Sequence, residues 1–206
     1  MHRLIPAAVV LLFCPVAFAQ DAESTENASL KALADHFKNT DQFSVDVTVD
    51  VDINVGGRAQ KSNAKIDLAV RKPNQFRIKF SADGNEGLAV NDGENTTTYI
   101  SEFKQYKVDP TDADAPLDHE MMGVLLNGAL VAGDPYKAMT ESAQTVTSAG
   151  EGMVGDVACD IVRLRTNEGV IDVYISQGDE PLPMQVVVDQ TPMLRAAGRD
   201  GHVKIT

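Results

Sequence analysis

Histidine, aspartate and cysteine are the side chains of this sequence that could catalyse a reaction or bind a metal. After the first residues, the histidines are His36, His119 and His202, far apart along the chain. None has a cysteine or a second histidine at the short spacing typical of a metal site. Each is therefore predicted to be an ordinary surface or interface residue.

Four aspartates lie close enough in sequence to surround a calcium ion: Asp109, Asp112, Asp114 and Asp118. Their spacing lacks the glycine and the terminal glutamate of an EF-hand, so a solvated acidic loop is favoured. Cys159 has apolar neighbours two positions away on either side, which predicts a buried, unreactive thiol. The sequence thus predicts no catalytic residue, no metal site and no cofactor, and the protein is not expected to be an enzyme.

Residues 1–19 have the three parts of a secretory signal peptide. A basic start precedes an apolar run over residues 4–18, and Ala17-Phe18-Ala19 provides the small residues that signal peptidase recognises. The run is shorter than the about 20 residues of a membrane span and contains prolines. Lipidation at Cys14 is disfavoured because phenylalanine precedes it and proline follows. We expect cleavage after Ala19 and export from the cytoplasm.

The net negative charge of the chain indicates which kinds of partner it is not expected to bind electrostatically. The formal net charge is −12, and loss of Arg3 with the signal peptide changes it to −13. Such a protein is repelled by nucleic acid and by anionic membrane surfaces. No later segment is long and apolar enough to span a bilayer. We expect a flexible leader over residues 20–28, a single domain over residues 29–206, no nucleic-acid partner and no membrane-spanning segment.

Apolar and polar residues alternate strictly over residues 43–55, the clearest pattern in the sequence. This period of two predicts a long strand with one apolar face. Gly56-Gly57 can form a two-residue hairpin turn, which would fix the register of the next strand. The predicted opposite pairs are Phe43–Val70, Val45–Leu68, Val47–Ile66 and Val49–Ala64.

Further strands follow with short turns between them. A third strand over residues 75–81 carries Phe76, Ile78 and Phe80 on one face. A short amphipathic helix over residues 30–37 comes before the strands, and a strongly apolar helix over residues 117–132 is inserted among them. The predicted fold class is mainly β with helices (α+β). Its antiparallel sheet of roughly eight or more strands must curl or be covered by the helices.

Two blocks of the sequence resemble a known family. The first is Arg71-Lys72-Pro73-Asn74-Gln75-Phe76-Arg77, followed by Asn91-Asp92-Gly93 and Tyr99. It resembles the signature of the periplasmic lipoprotein-localisation carriers of Gram-negative bacteria, the LolA/LolB superfamily. The second, Gly155–Asp160 with Glu180-Pro181-Leu182-Pro183, is similar to an uncharacterised periplasmic group of the same fold.

The resemblance implies an unclosed antiparallel β half-barrel whose concave apolar face is covered by helices. Carriers of this kind hold acyl chains in that cavity, which implies a periplasmic protein that binds a lipid or an acylated protein. Lys72 stands where the carriers have an arginine that ties the lid to the barrel. Because lysine lacks the planar fork of donors, the latch would be weaker or different. The residues expected to line the cavity are Phe43, Val45, Val47, Ile66, Leu68, Phe76, Ile78, Phe80, Leu88, Val90, Met121, Met122, Leu125 and Leu126.

Two alternatives stay open. The helix over residues 117–132, which contains Met121-Met122, is either closed core or a lid that adapts to varied acyl chains. The protein is either a carrier that shields acyl chains or a regulatory module of the same fold. In the second case it would sense envelope stress and bind a membrane-bound partner protein.

Overall fold

The computed structural model describes residues 26–82, 84–111 and 127–206, and these residues form one antiparallel sheet with a few short helices. The strands are β1 (Gln42–Val55), β2 (Arg58–Arg71), β3 (Gln75–Ala82), β4 (Asn85–Asn91), β5 (Asn95–Ile100), β6 (Gln105–Pro110), β7 (Ala143–Val154), β8 (Val157–Thr166), β9 (Val170–Ser176), β10 (Pro183–Asp189) and β11 (Gly201–Ile205). The helices are α1 (Ala28–Lys38), α2 (Asn127–Leu130), α3 (Pro135–Thr140) and α4 (Thr191–Ala196).

The sheet consists of two meanders joined edge to edge. Its strand order is β6-β5-β4-β3-β2-β1-β11-β10-β9-β8-β7. The join is made where the second half of β1, Val51–Val55, pairs with β11. In the described part of the chain β6 and β7 are the two ends of this order and do not pair with each other. The prediction of an unclosed antiparallel half-barrel with helices is therefore confirmed.

The long hairpin β1–β2 has the register that its turn predicts. Phe43 pairs with Val70, Val45 with Leu68, Val47 with Ile66 and Val49 with Ala64. Gly56 and Gly57 have φ angles of 59° and 78°, a left-handed conformation that glycine adopts at little cost. The local turn thus determines which side of two 14-residue strands is apolar.

Helix α1 includes the predicted helical residues 30–37, begins two residues earlier at Ala28, and packs on the second meander. The Asn27 side chain accepts a hydrogen bond from the backbone N–H of Leu30, which caps the helix. Its buried stripe contacts side chains of α2, α3, β8 and β9. This helix cluster consists of Leu30, Leu33, Ala34, Phe37, Leu130, Met139, Val162, Leu164, Val173 and Ile175. Burying each large side chain stabilises the fold by about 1.5–3 kcal/mol.

The inserted apolar helix is only partly described. Residues 127–130 are helical, as predicted, whereas the predicted residues 117–126 lie outside the described ranges. Across those ranges, every helix is too short or too polar to cross a bilayer.

Candidate binding site

The face of the sheet that carries the buried side chains, called here the inner face, unites most of the predicted cavity residues. Register through β1, β2 and β3 places eight of them in three adjacent rows. The rows are Phe43–Val70–Phe76, Val45–Leu68–Ile78 and Val47–Ile66–Phe80, and Val70 is the ninth residue, which was not predicted to line the cavity. Leu68, Val70, Ile78 and Ala89 form a buried strand cluster, against which Phe43, Val45, Ile66 and Phe76 pack half-buried. The shared face is observed, whereas ligand contact stays a prediction.

Leu88 and Val90 do not belong to this face, and the prediction that they line the cavity with Phe76 is wrong. Lys79 pairs with Leu88 and Arg77 with Val90. Directly opposite residues project to the same side of a sheet. Both residues therefore lie on the outer face, and their inner-face neighbours on β4 are Gly87, Ala89 and Asn91.

Gly87 is required by the position of Phe80. A Cβ atom at residue 87 would lie 2.1 Å from the Phe80 Cζ atom, so the aromatic ring rests on the backbone of β4. The ring therefore covers a gap in the inner face where β4 has no side chain. Phe80 itself remains half-buried, which leaves part of its ring accessible.

The predicted lid residues Met121, Met122, Leu125 and Leu126 lie outside the described ranges. The residues that follow them do contact the inner face. Leu130 is buried in the helix cluster, and Val131 packs against the strand cluster. The described end of the inserted segment thus connects the two apolar clusters.

Phe43 is the other junction between the two clusters. It packs against both, and its ring meets that of Phe37 edge to face, with centroids 5.0 Å apart. Edge-to-face contact is a preferred aromatic geometry and stabilises by about 0.5–1.5 kcal/mol beyond burial. Helix α1 is therefore in direct contact with one end of the candidate site.

A cleft of about 300 Å³ separates the first half of β1 from β10. Its lining is mixed. The apolar side chains are Val45, Val47, Val154, Pro183, Met184 and Val186, and the polar ones are Asp46, Thr48, Asp50, Gln185 and Thr206. This volume is at the lower end of the range of small-molecule pockets. The β10 residues were not among the predicted site residues, because their approach to β1 depends on the pairing of distant strands.

Helix α1 is fastened at its C-terminal end by Lys72. The Lys72 ammonium donates hydrogen bonds to the carbonyl oxygens of Phe37 and Lys38. A cation there also complements the helix dipole. Burial lowers the pKa of Lys72, and Asp41 partly offsets this effect. The predicted latch role stays a prediction; among the described residues, the Lys72 side chain donates its hydrogen bonds to α1.

The N-terminal end of α1 is fastened by Asp160 of β8. Ser29 Oγ donates a hydrogen bond of 2.7 Å to its carboxylate, and Gln177 donates a second. These hydrogen bonds hold the pKa of Asp160 below its ordinary value of 3.8. A negative charge is favourable near a helix N-terminus. The sequence did not point to this contact, which joins residues 131 positions apart.

Asp160→Asn is expected to lower the free energy of unfolding by about 1 kcal/mol at neutral pH, since a half-buried charge-assisted hydrogen bond is weakened. A carboxyl whose pKa is lowered by folding stabilises the fold above its unfolded-state pKa, and this stabilisation is lost as the pH falls through the folded-state pKa. The difference in the free energy of unfolding between the variant and the native protein should therefore become smaller at acidic pH. Urea denaturation at several pH values measures it. Asp156→Asn, in the exposed β7–β8 turn, is the control, and an equal effect there would contradict the role of Asp160.

The remaining reactive side chains of the described ranges are those that could bind a metal and the thiol of Cys159. No cluster of three or more histidine, cysteine, aspartate or glutamate side chains that could hold a metal occurs there. Cys159 is fully buried, as predicted, and burial raises the pKa of its thiol. The inner face of β1 to β3 offers a ligand apolar side chains.

The fold and this face define a class of protein: an open antiparallel half-barrel with an apolar inner face and helices packed against it. The chain belongs to the family described as "Predicted periplasmic protein (DUF2092)", whose model matches residues 27–196. No curated protein matches the sequence.

Several solved structures are similar in fold. Lipoprotein LppX of Mycobacterium tuberculosis is 11% identical with a TM-score of 0.44, over 87% of this chain and 91% of that one. An uncharacterised conserved protein of Thermus thermophilus is 11% identical with a TM-score of 0.43, over 86% and 81%. A LolA superfamily protein of Nitrosomonas europaea is 8% identical with a TM-score of 0.34, over 86% and 91%. Similarity at this level carries no functional information.

Proposed function

We propose that this protein binds a lipid or the acyl chain of a lipoprotein on the inner face of its half-barrel, in the periplasm, after cleavage of the signal peptide at Ala19. The observation that carries the proposal is the set of half-buried apolar side chains that share this face across β1, β2 and β3. Membership of a family described as periplasmic supports the location.

The half-buried row Val47–Ile66–Phe80 is the proposed contact surface for an acyl chain. The neighbouring row is nearly closed, because Leu68 and Ile78 are only 1% and 5% exposed. The cleft beside Val45 and Val47 extends the apolar surface toward β10.

The proposed mechanism is partition of the acyl chain between water and the inner face. Burial of apolar surface contributes about 25 cal/mol per Å², and about 0.8 kcal/mol per methylene. Release would require the covering elements to move. Helix α1 is fastened at both ends, by Lys72 and by Asp160, so it is not the element proposed to move.

Chain length provides the test. Unlabelled fatty acids of increasing length compete with a fluorescent fatty acid for the site. Their affinity should rise about fourfold with each added methylene until the site is filled. Mass spectrometry of extracts from the natively purified protein identifies the lipid carried in the cell. Absence of saturable binding, or an affinity independent of chain length, would contradict the proposed function. The regulatory interpretation would then be preferred.

A further inference from the structure

The apolar side of the sheet changes between β3 and β4. On β1 to β3 the outer face is polar, and one of its rows is Asp46–Asp67–Lys79. The same row continues as Leu88–Tyr99–Tyr106 on β4 to β6. Meanwhile the inner face on β5 and β6 is polar except for Ile100. An apolar outer surface is therefore present on one half of this meander only.

We call this surface the outer patch; its members are Leu88, Val90, Tyr99, Tyr106 and Val108. It is open to solvent, since Tyr99 is 39%, Val108 51% and Tyr106 74% exposed. These residues lie in two rows across β4 to β6, Leu88–Tyr99–Tyr106 and Val90–Thr97–Val108. Thr97 is the sixth residue of the rows, and none of the six is charged. A charge-free centre rich in tyrosine is typical of protein interfaces.

The charges around the outer patch differ between its sides. At one end of the strands lie the exposed Glu86 and Glu102, beside Lys104, and at the other end lie the exposed Asp92 and Glu94. On the third side Arg77 donates to both carboxylate oxygens of Asp67, and Lys79 is exposed. Both strand ends are thus mainly acidic, and the whole chain carries a net charge of −12.

This charge pattern selects among the classes of partner. An anionic membrane would be repelled by the acidic strand ends. In a second copy packed with its strands aligned, acidic ends would meet acidic ends. A polypeptide with apolar residues at its centre and basic residues around them complements both features. We propose that the outer patch is the docking surface for such a basic, amphipathic segment of a partner protein, independently of whether the inner face binds lipid.

The open edge of β6 supports the same partner. Across the described residues, β6 pairs on one side only, with β5. Tyr106 and Val108 project from this edge strand to the outer patch, and Lys107 and Asp109 form an ion pair of 2.9 Å on the inner side. A docked segment could therefore continue the sheet with its apolar side chains on the patch.

A tryptophan reporter tests this proposal, because the chain contains no tryptophan. Tyr106→Trp places a single fluorophore in the outer patch. The probes are a synthetic peptide of alternating leucine and lysine, its leucine–glutamate counterpart, and vesicles of phosphatidylethanolamine with phosphatidylglycerol. We expect a saturable blue shift with the leucine–lysine peptide alone. Met153→Trp is the matched control, since Met153 is 60% exposed in the β7–β8 hairpin, and its emission should not change.

Substitutions that leave the net charge unchanged distinguish binding at the outer patch from general attraction between the acidic protein and a basic peptide. Tyr99→Ser with Val108→Ser, in the Tyr106→Trp background, should weaken the leucine–lysine peptide at least about tenfold. Met153→Ser with Val157→Ser should leave its affinity unchanged. Circular dichroism checks that each variant is folded. The proposal is overturned if the leucine–lysine peptide fails to bind or the patch variant binds it normally. Equal binding of the leucine–glutamate peptide, a blue shift with vesicles, or a concentration-dependent dimer seen by ultracentrifugation also overturns it.

Discussion

Phe76→Glu is expected to weaken fatty-acid binding roughly 10- to 100-fold, whereas Val90→Glu should leave it within about twofold. The two positions are a matched pair. Both are half-buried and apolar on adjacent strands, and Val90 pairs with Arg77, the chain neighbour of Phe76. Only Phe76 packs against the strand cluster on the inner face. Phe76 lies two rows from the proposed contact row on the same apolar face, so a carboxylate at residue 76 would disfavour an acyl chain that extends along that face.

The measurement is titration with a fluorescent fatty acid, with thermal unfolding of each variant as the folding control. Val47→Gln provides a second inner-face variant, because Val47 is half-buried and lies in the proposed contact row. It should weaken binding without unfolding the protein. Equal losses for Phe76→Glu and Val90→Glu would show that binding does not depend on the inner face. Normal binding by Val47→Gln would argue against the proposed contact row.

Local turns made the first hairpin predictable. The Gly56-Gly57 turn and strict alternation determine which residues of β1 and β2 face each other, and the four predicted pairs are observed. No distant contact is needed to choose among registers, since a shift of one residue would place the apolar set in water. The capping of α1 by Asn27 is local in the same way. The Asn27 side chain accepts a hydrogen bond from the backbone N–H of Leu30, only three residues further along the chain.

The misplacement of Leu88 and Val90 has an equally local cause. Strand β4 has apolar residues on both faces, so alternation alone cannot orient it. Asp83-Gly84 is a strong signal for a two-residue turn. Applied there, that turn sets Phe80 opposite Gly87, which is the register observed. The outer patch could therefore have been found from the sequence.

Long-range contacts could not be predicted in this way. The pairing of β1 with β11 joins Val55 to Gly201, and the contact of Ser29 with Asp160 joins a helix to a strand of the other meander. Such contacts depend on how the whole sheet curls, which no local pattern specifies. The cleft between β1 and β10 is a consequence of this curl and of the end of pairing between β1 and β11 at residue 50.

Leu33→Ala is expected to destabilise the protein by about 2–5 kcal/mol, because Leu33 is fully buried at the centre of the helix cluster. For a protein of this size, that corresponds to a fall in melting temperature of roughly 5–15 °C. Calorimetry or circular dichroism measures it. Leu182→Ala is the matched control. Leu182 is 44% exposed, so this substitution should change the free energy of unfolding by no more than about 0.5 kcal/mol.

The effect of Leu33→Ala on ligand binding separates two roles of α1. Leu33 packs in the helix cluster, which is joined to the inner face of β1–β3 through Phe43. If α1 only completes the core, the folded variant should bind fatty acid normally below its melting temperature. If α1 also positions Phe43 at the candidate site, affinity should fall together with stability. Because Lys72 and Asp160 hold both ends of the helix in place, we expect normal binding. A native-like melting temperature for Leu33→Ala would contradict the packing of α1 itself.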